Sequence, residues 1–351
     1  MKFLTFLKLL LIFLVINSCN SQAQEINDGA KIFTKFPLER KVKSKDFKSL
    51  KNYSVDRMSL VRDSVLLLLT ANMTNQILFI NALDSAEMGH MIKSGRKKGE
   101  VMGFFSYGVI EDNLWVYDIV KSKVVTFDFK SLLNQSTRVD TIYDVNKNYY
   151  AAQLVDKYNM IATGDYDSAY WLSLYNLPLG EVTNQFAPYT TGSEEVSKTT
   201  KTAYESILHI KPSRDKCVMS ARYSDRIQIL SLDNKSSKII LGPENYEPDV
   251  IVMEDHLGED VSARGPQTRY AFVTGATTDQ FIYLLYSGNN HQGKYRSYGK
   301  YIYKYDWEGN PIERLELPEY TRDFAVTSDD RIIYTYDPKD KVIKKGVLGD
   351  E

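Results

Sequence analysis

Residues able to do chemistry are few in this chain, and most stand alone. The four histidines, His90, His209, His256 and His291, form no zinc spacing. There is no Gly-x-Ser-x-Gly elbow and no phosphate-cradling glycine loop. Asp165 and Asp167 have the spacing of paired carboxylates, but they lie between two strand-like runs, where aspartate more often builds a turn. The acidic segments 244–247 and 253–260 offer oxygens to calcium without the EF-hand spacing, so no metal and no cofactor is expected. His209, in Ser206-Ile207-Leu208-His209-Ile210, reads as a core histidine of an inner strand. Catalysis is not excluded by this, because a site can be assembled from side chains on separate strands.

The best-defined chemistry is at Cys19. Lys2 and Lys8 accompany an apolar run over 9–16 that is too short to span a bilayer, which reads as a secretory signal. Ile16-Asn17-Ser18-Cys19 resembles a bacterial lipobox, with a small residue before the cysteine and an aliphatic one three places before that cysteine. Residues 1–18 are then a signal peptide, and Cys19 carries lipid. Cys217 is left without an intrachain partner, and in Lys216-Cys217-Val218-Met219-Ser220 it reads as a small buried hydrophobe. Removal of the signal leaves a net charge near −3 from −1 for the whole chain, so nothing argues for nucleic acid. The polar, aperiodic segment 19–30 reads as a flexible tether reaching on the order of 20 Å.

Those scattered residues must be held in place by the rest of the chain, which is almost all short β-type runs. Strand-turn-strand pieces recur over 64–80, 113–129, 160–175, 216–232, 280–306 and 331–347. Six recurrences at steps of 40 to 75 residues indicate a six-bladed β-propeller, in which each small sheet buries its faces against its neighbours. Tyr numbers 25 and Phe 15, a load suited to packing between blades. The last unit supplies only three strands, so an N-terminal strand, placed at 31–42, is expected to complete it. Pro37 is tolerated on such an outer edge. Residues 31–351 are thus read as one all-β propeller domain.

This pattern resembles the TolB-like six-bladed propeller lipoproteins of Bacteroidota. The lipobox, Gly95-Arg96-Lys97-Lys98-Gly99-Glu100 before the second blade, and Leu114-Trp115-Val116-Tyr117-Asp118 within it carry the resemblance. It implies a fold and an envelope address, and brings no catalytic residues. The neutral Asn20-Ser21-Gln22-Ala23-Gln24 after the cysteine favours an outer-membrane lipoprotein facing the periplasm. If 31–42 closes the ring, the lipid sits beside the outer edge of the last blade.

Every long connection is expected on one face of the ring, where binding is usually built. Within these loops His256, Arg264, His291, Lys294, Tyr295 and Arg296 combine charge, hydrogen bonding and an aromatic face suited to a sugar or a peptide. The favoured reading is a binding or scaffold module for an envelope protein, peptide or glycan, held to the membrane by its lipid. The alternative is a propeller-type enzyme, a metal-assisted lactonase or a glycan-cleaving one, with its site on that same face.

Overall fold

The computed structural model describes residues 26–349, apart from 72–73, 105, 191–194, 255–257 and 259. Three short strands come first: β1 (Lys31–Ile32), β2 (Glu39–Lys41) and β3 (Ser44–Ser49). Blade 1 is β4 (Val55–Val61), β5 (Val65–Thr70), β6 (Asn75–Asn81) and β7 (Glu87–Lys93). Blade 2 is β8 (Ser106–Ile110), β9 (Asn113–Asp118), β10 (Lys123–Asp128) and β11 (Val139–Asp144), with helix α1 (Phe129–Leu133) between its last two strands. Blade 3 is β12 (Ala151–Leu154), β13 (Asn159–Thr163), β14 (Tyr170–Asn176) and β15 (Glu181–Pro188). Helix α2 (Lys198–Ala203) leads to blade 4, which is β16 (Ser206–Ile210), β17 (Lys216–Ala221), β18 (Arg226–Ser231) and β19 (Ser237–Leu241). A separate ribbon of β20 (Val250–Glu254) and β21 (Asp260–Arg264) precedes blade 5. Blade 5 is β22 (Phe272–Thr277), β23 (Phe281–Tyr286), β24 (Gly299–Asp306) and β25 (Pro311–Thr321); blade 6 has β26 (Asp323–Val326), β27 (Ile332–Asp337) and β28 (Val342–Val347).

The six recurring pieces of the sequence are the two middle strands of the six blades. Their composition follows from burial on both faces. In Val65-Leu66-Leu67-Leu68-Leu69, Leu66 and Leu68 join the cluster shared with blade 6, while Leu67 and Leu69 join the cluster shared with blade 2. Alternate side chains thus feed opposite interfaces, so a central strand reads as an unbroken apolar run. Six such clusters fill the six gaps between neighbouring blades. Many tyrosines serve here: Tyr283, Tyr303, Tyr305, Tyr334 and Tyr336 are all buried. Cys217 is buried and free, and burial pushes its thiol up, away from reactivity.

Closure follows the expected principle with a different segment. The strand that completes blade 6 is β3, antiparallel to β28 with Ser44 opposite Gly346 and Ser49 opposite Val342. The expected segment 31–42 instead wraps the outside of two other blades. Here β1 lies parallel to β19, and β2 lies parallel to β25. The reason is compositional. Strand β3 has only Phe47 as a large apolar residue, because its outer edge meets water. The more apolar 31–42 spends Phe36 and Val42 in the clusters at the flanks of blade 5.

The tether is also shorter than expected. Ile26 is only 2% exposed, within the cluster between blades 3 and 4. The Asn27 Nδ2 donates to Glu247 Oε1 at 3.0 Å, and its Oδ1 accepts from Arg226 Nε at 2.9 Å. The chain therefore docks before Lys31, and it docks at blade 4 on the long-loop face, away from the outer edge of the last blade.

Candidate functional site

Each blade turns its first strand toward the central channel. The four longest connections, namely 94–105, 189–205, 242–271 and 287–298, join strands at the end where these first strands begin. The channel encloses a cavity of about 260 Å³, lined by Arg57 of β4, Tyr107 of β8, Gln153 of β12, His209 of β16, Gly275 of β22 and Asp323 of β26.

Asp323 accepts three hydrogen bonds in the wall. Its Oδ2 accepts from Met58 N at 2.9 Å, and its Oδ1 from Thr274 Oγ1 at 2.9 Å and Phe324 N at 2.7 Å. Burial pushes this carboxyl up, while Arg57 and the bonded N–H groups pull it back down. His209 faces the backbone of Gly275, where a Cβ would stand 2.9 Å from its Nε2, so a side chain there would displace the ring. Burial, aided by Arg57, pushes the imidazole down to about 4, so it is neutral at ordinary pH. Its buried Nε2 has no hydrogen-bond partner among the described residues.

Above this wall lies a mouth of arginine and tyrosine. Arg222, in the turn between β17 and β18, pairs with Glu205 at 2.8 Å and donates to the Tyr150 hydroxyl. Its guanidinium carbon lies 5.8, 5.9 and 5.7 Å from the rings of Tyr150, Tyr223 and Tyr270. Burial alone would weaken its hold on its proton, but Tyr150 and Glu205 outweigh this and leave the group more basic than usual. Arg264, at the end of β21, shares two of those rings at 5.5 and 5.4 Å, and its Nη2 donates to the Tyr223 hydroxyl at 3.1 Å. Two cations therefore share one pair of aromatic rings, an arrangement each planar guanidinium favours. Gly164, at φ +98°, lets the neighbouring turn pass under Tyr150, since a Cβ there would meet the Tyr150 backbone nitrogen at 2.5 Å.

Of the loop residues singled out in the sequence, the structure brings Arg264 and His291 together. They line a second cavity of about 470 Å³ with Glu205 and Tyr223, and the buried Nε2 of His291 has no partner among the described residues. Lys294 and Tyr295 lie elsewhere, in a rim groove of about 440 Å³ with Tyr298 and Tyr320, where Tyr295 stacks on Tyr320 at 4.4 Å. Arg296 shapes its own loop: Nη1 donates to His291 O at 3.2 Å, and its carbonyl accepts from Ser287 Oγ at 2.9 Å. His256 and Cys19 lie outside the described residues. Asp165 and Asp167 occupy a turn and pair with Lys147 and Lys198 rather than acting together. Among the described residues, no three His, Cys, Asp or Glu side chains are grouped to hold a metal.

Sequence reading missed Arg222, Glu205, Tyr150 and Tyr270. A usable signal existed. Tyr150, Glu205 and Arg322 each stand immediately before the first strand of a blade, and Tyr270 stands two residues before one. A polar or aromatic residue at that junction is aimed at the mouth.

Comparison with known proteins agrees with this architecture. The family described as TolB-like 6-blade propeller-like matches residues 31–329. No curated protein sequence matches the chain. Among solved structures, the chain is similar to the WD40 repeats of RRP9, with a TM-score of 0.50 and 8% identity over 90% of this chain and 100% of that one. It is also similar to the β-propeller domain of Myceliophteria thermophila Cps50 (Swd1), with a TM-score of 0.48 and 10% identity over 88% and 100%. At 8% identity the RRP9 likeness shows the fold alone. The six blades and the family match over 31–329 lead to one assignment: the chain belongs to the TolB-like six-bladed propeller family.

Proposed function

We propose that the protein is an outer-membrane lipoprotein, anchored through Cys19 and facing the periplasm, whose propeller is a binding module for a peptide, protein or glycan. The ligand is taken at the long-loop mouth. One observation carries this reading: the mouth presents Arg222, Arg264 and His291 with hydrogen-bonding capacity the fold does not use. The Nε of Arg222 and the Nε2 of His291 are buried without partners, and Arg264 bonds only a tyrosine hydroxyl among the described residues. Buried polar atoms left without a partner, as at Arg222 Nε and His291 Nε2, are costly unless something completes them. A fork-shaped guanidinium beside aromatic rings suits a carboxylate on an acidic peptide or an acidic sugar. By contrast Arg269 is spent on Glu244 and on Gly288 O.

The test is photo-crosslinking in intact envelopes. A photoreactive phenylalanine analogue replacing Thr202, in the wall of the mouth, captures a defined partner, while the same probe replacing Leu83 on the opposite face does not. Equal capture at both positions sinks the mouth reading. Cys19→Ala releases the protein into the soluble fraction; continued partitioning into membranes sinks the anchor.

A further inference from the structure

We propose that the long-loop face is the side turned to the lipid bilayer, with the outward face of the β20–β21 ribbon seated at the headgroup boundary. The ribbon's register separates its two faces. Ile251 is opposite Ala263, and Met253 is opposite Val261, so these four share one face. Val250 and Arg264, opposite one another, share the other face with the Val252–Ser262 and Glu254–Asp260 pairs. The base of that second face meets the propeller. Val250 packs on the cluster between blades 3 and 4, and Ser262 Oγ lies 2.9 Å from Thr202 Oγ1 of α2. The first face is turned outward, with Ile251 46%, Met253 51% and Val261 40% exposed, and Val252 at the edge of the second face is 54% exposed. A ribbon in water has its polar side outward. This one exposes four large apolar side chains, which marks a contact surface.

The start of the docked chain selects the occupant. Ile26 is buried in the cluster that Val250 packs against, and Asn27 bonds Glu247, three residues before Val250. Cys19 is seven residues upstream of Ile26. An acyl group there stays within about 25 Å of this point even on a fully extended backbone. The lipid and the apolar ribbon face therefore leave the propeller on one side, next to blade 4. Charge agrees on the far side of the ring. The link between blades 1 and 2, on the same face, exposes Arg96, Lys97 and Lys98, which suit anionic headgroups. Glu254 and Asp260 stand opposite each other at the ribbon's end, so the ribbon lies flat on the surface rather than entering end-on. The mouth then opens along the membrane, and its ligand is one that is presented there.

This inference rests on the acyl anchor at Cys19, and the experiment separates the two. Acylated protein is reconstituted into vesicles of phosphatidylethanolamine and phosphatidylglycerol, with an environment-sensitive fluorophore on Ile251→Cys, Met253→Cys or, on the opposite face, Leu83→Cys. Cys217 is buried and takes no label. The expected result is a blue shift and loss of emission to doxyl-labelled lipid at 251 and 253, and neither change at 83. Quenching at 83, no quenching at 251 and 253 in protein shown to be acylated, or a crosslinked dimer through 251 overturns the orientation alone. Absence of acyl mass on Cys19 overturns the anchor and the orientation together.

Discussion

The wall of the channel and its mouth both carry buried charge, and they are built in opposite ways. Asp323 on the wall accepts from blades 1, 5 and 6 at once, through Met58, Thr274 and Phe324. It joins the last blade to both neighbours. Arg222 at the mouth bonds Glu205 and Tyr150, yet keeps its Nε buried and without a partner. A charge whose bonds are all made inside the fold is structural, and its loss is felt as instability. A group whose bonds are left open in a cavity points to a ligand, and its loss is felt as lost binding.

Substitution at Asp323 bears hardest on this contrast. Asp323→Ala strips the acceptor from three donors and leaves Arg57 without its facing carboxylate, for an expected loss of about 3–5 kcal/mol in a urea titration. Asp323→Asn keeps one acceptor and loses less. A loss below about 1 kcal/mol for the alanine variant would put Asp323 with the mouth rather than the wall.

Protonation of His209 comes next. Unfolded imidazole takes a proton near 6.5, while in the fold burial and Arg57 delay this to about 4. Between these values the unfolded chain binds more protons, so the stability present above pH 6.5 falls as pH drops toward 4, by about 3 kcal/mol. Thermal melts over this range show the slope, and His209→Gln flattens it. An identical slope in that variant removes His209 from the account. The smallest effect on the fold is expected at Arg264. Arg264→Gln changes stability by about 0.5 kcal/mol or less while abolishing crosslinking from the Thr202 probe. A variant that melts early, or that still captures the partner, erases the difference between wall and mouth.

The hairpins were legible because burial on both faces leaves a dense local signal, as in Val65 to Leu69. The closing strand was not, because Ser44-Lys45-Asp46-Phe47-Lys48-Ser49 sits at a wet edge, where composition resembles that of a loop. The mouth was half legible. Arg264 and His291 lie in loops of unusual length, which drew attention to them. Glu205 and Arg222 flank paired strands of blade 4 but stand 17 residues apart in the chain, and Tyr150 comes from blade 3, so only the packing of the two blades brings the three within bonding distance. No spacing along the chain encodes that meeting. The ribbon's orientation was hidden for a similar reason: Val250 to Met253 is apolar throughout, and only docking on α2 decides which side chains face water.

The belt formed by the first three strands has a consequence for the order in which the molecule is made. Lys31 is paired with Ile240, Glu39 with Arg314 and Ser44 with Gly346. The segment 31–49 therefore has its strand pairings only in the second half of the chain, and its last pairing is with β28. Until that strand exists the ring has no latch, and the chain has little to hold it shut. A latch that engages only on completion leaves an emerging chain open until its last strand is made.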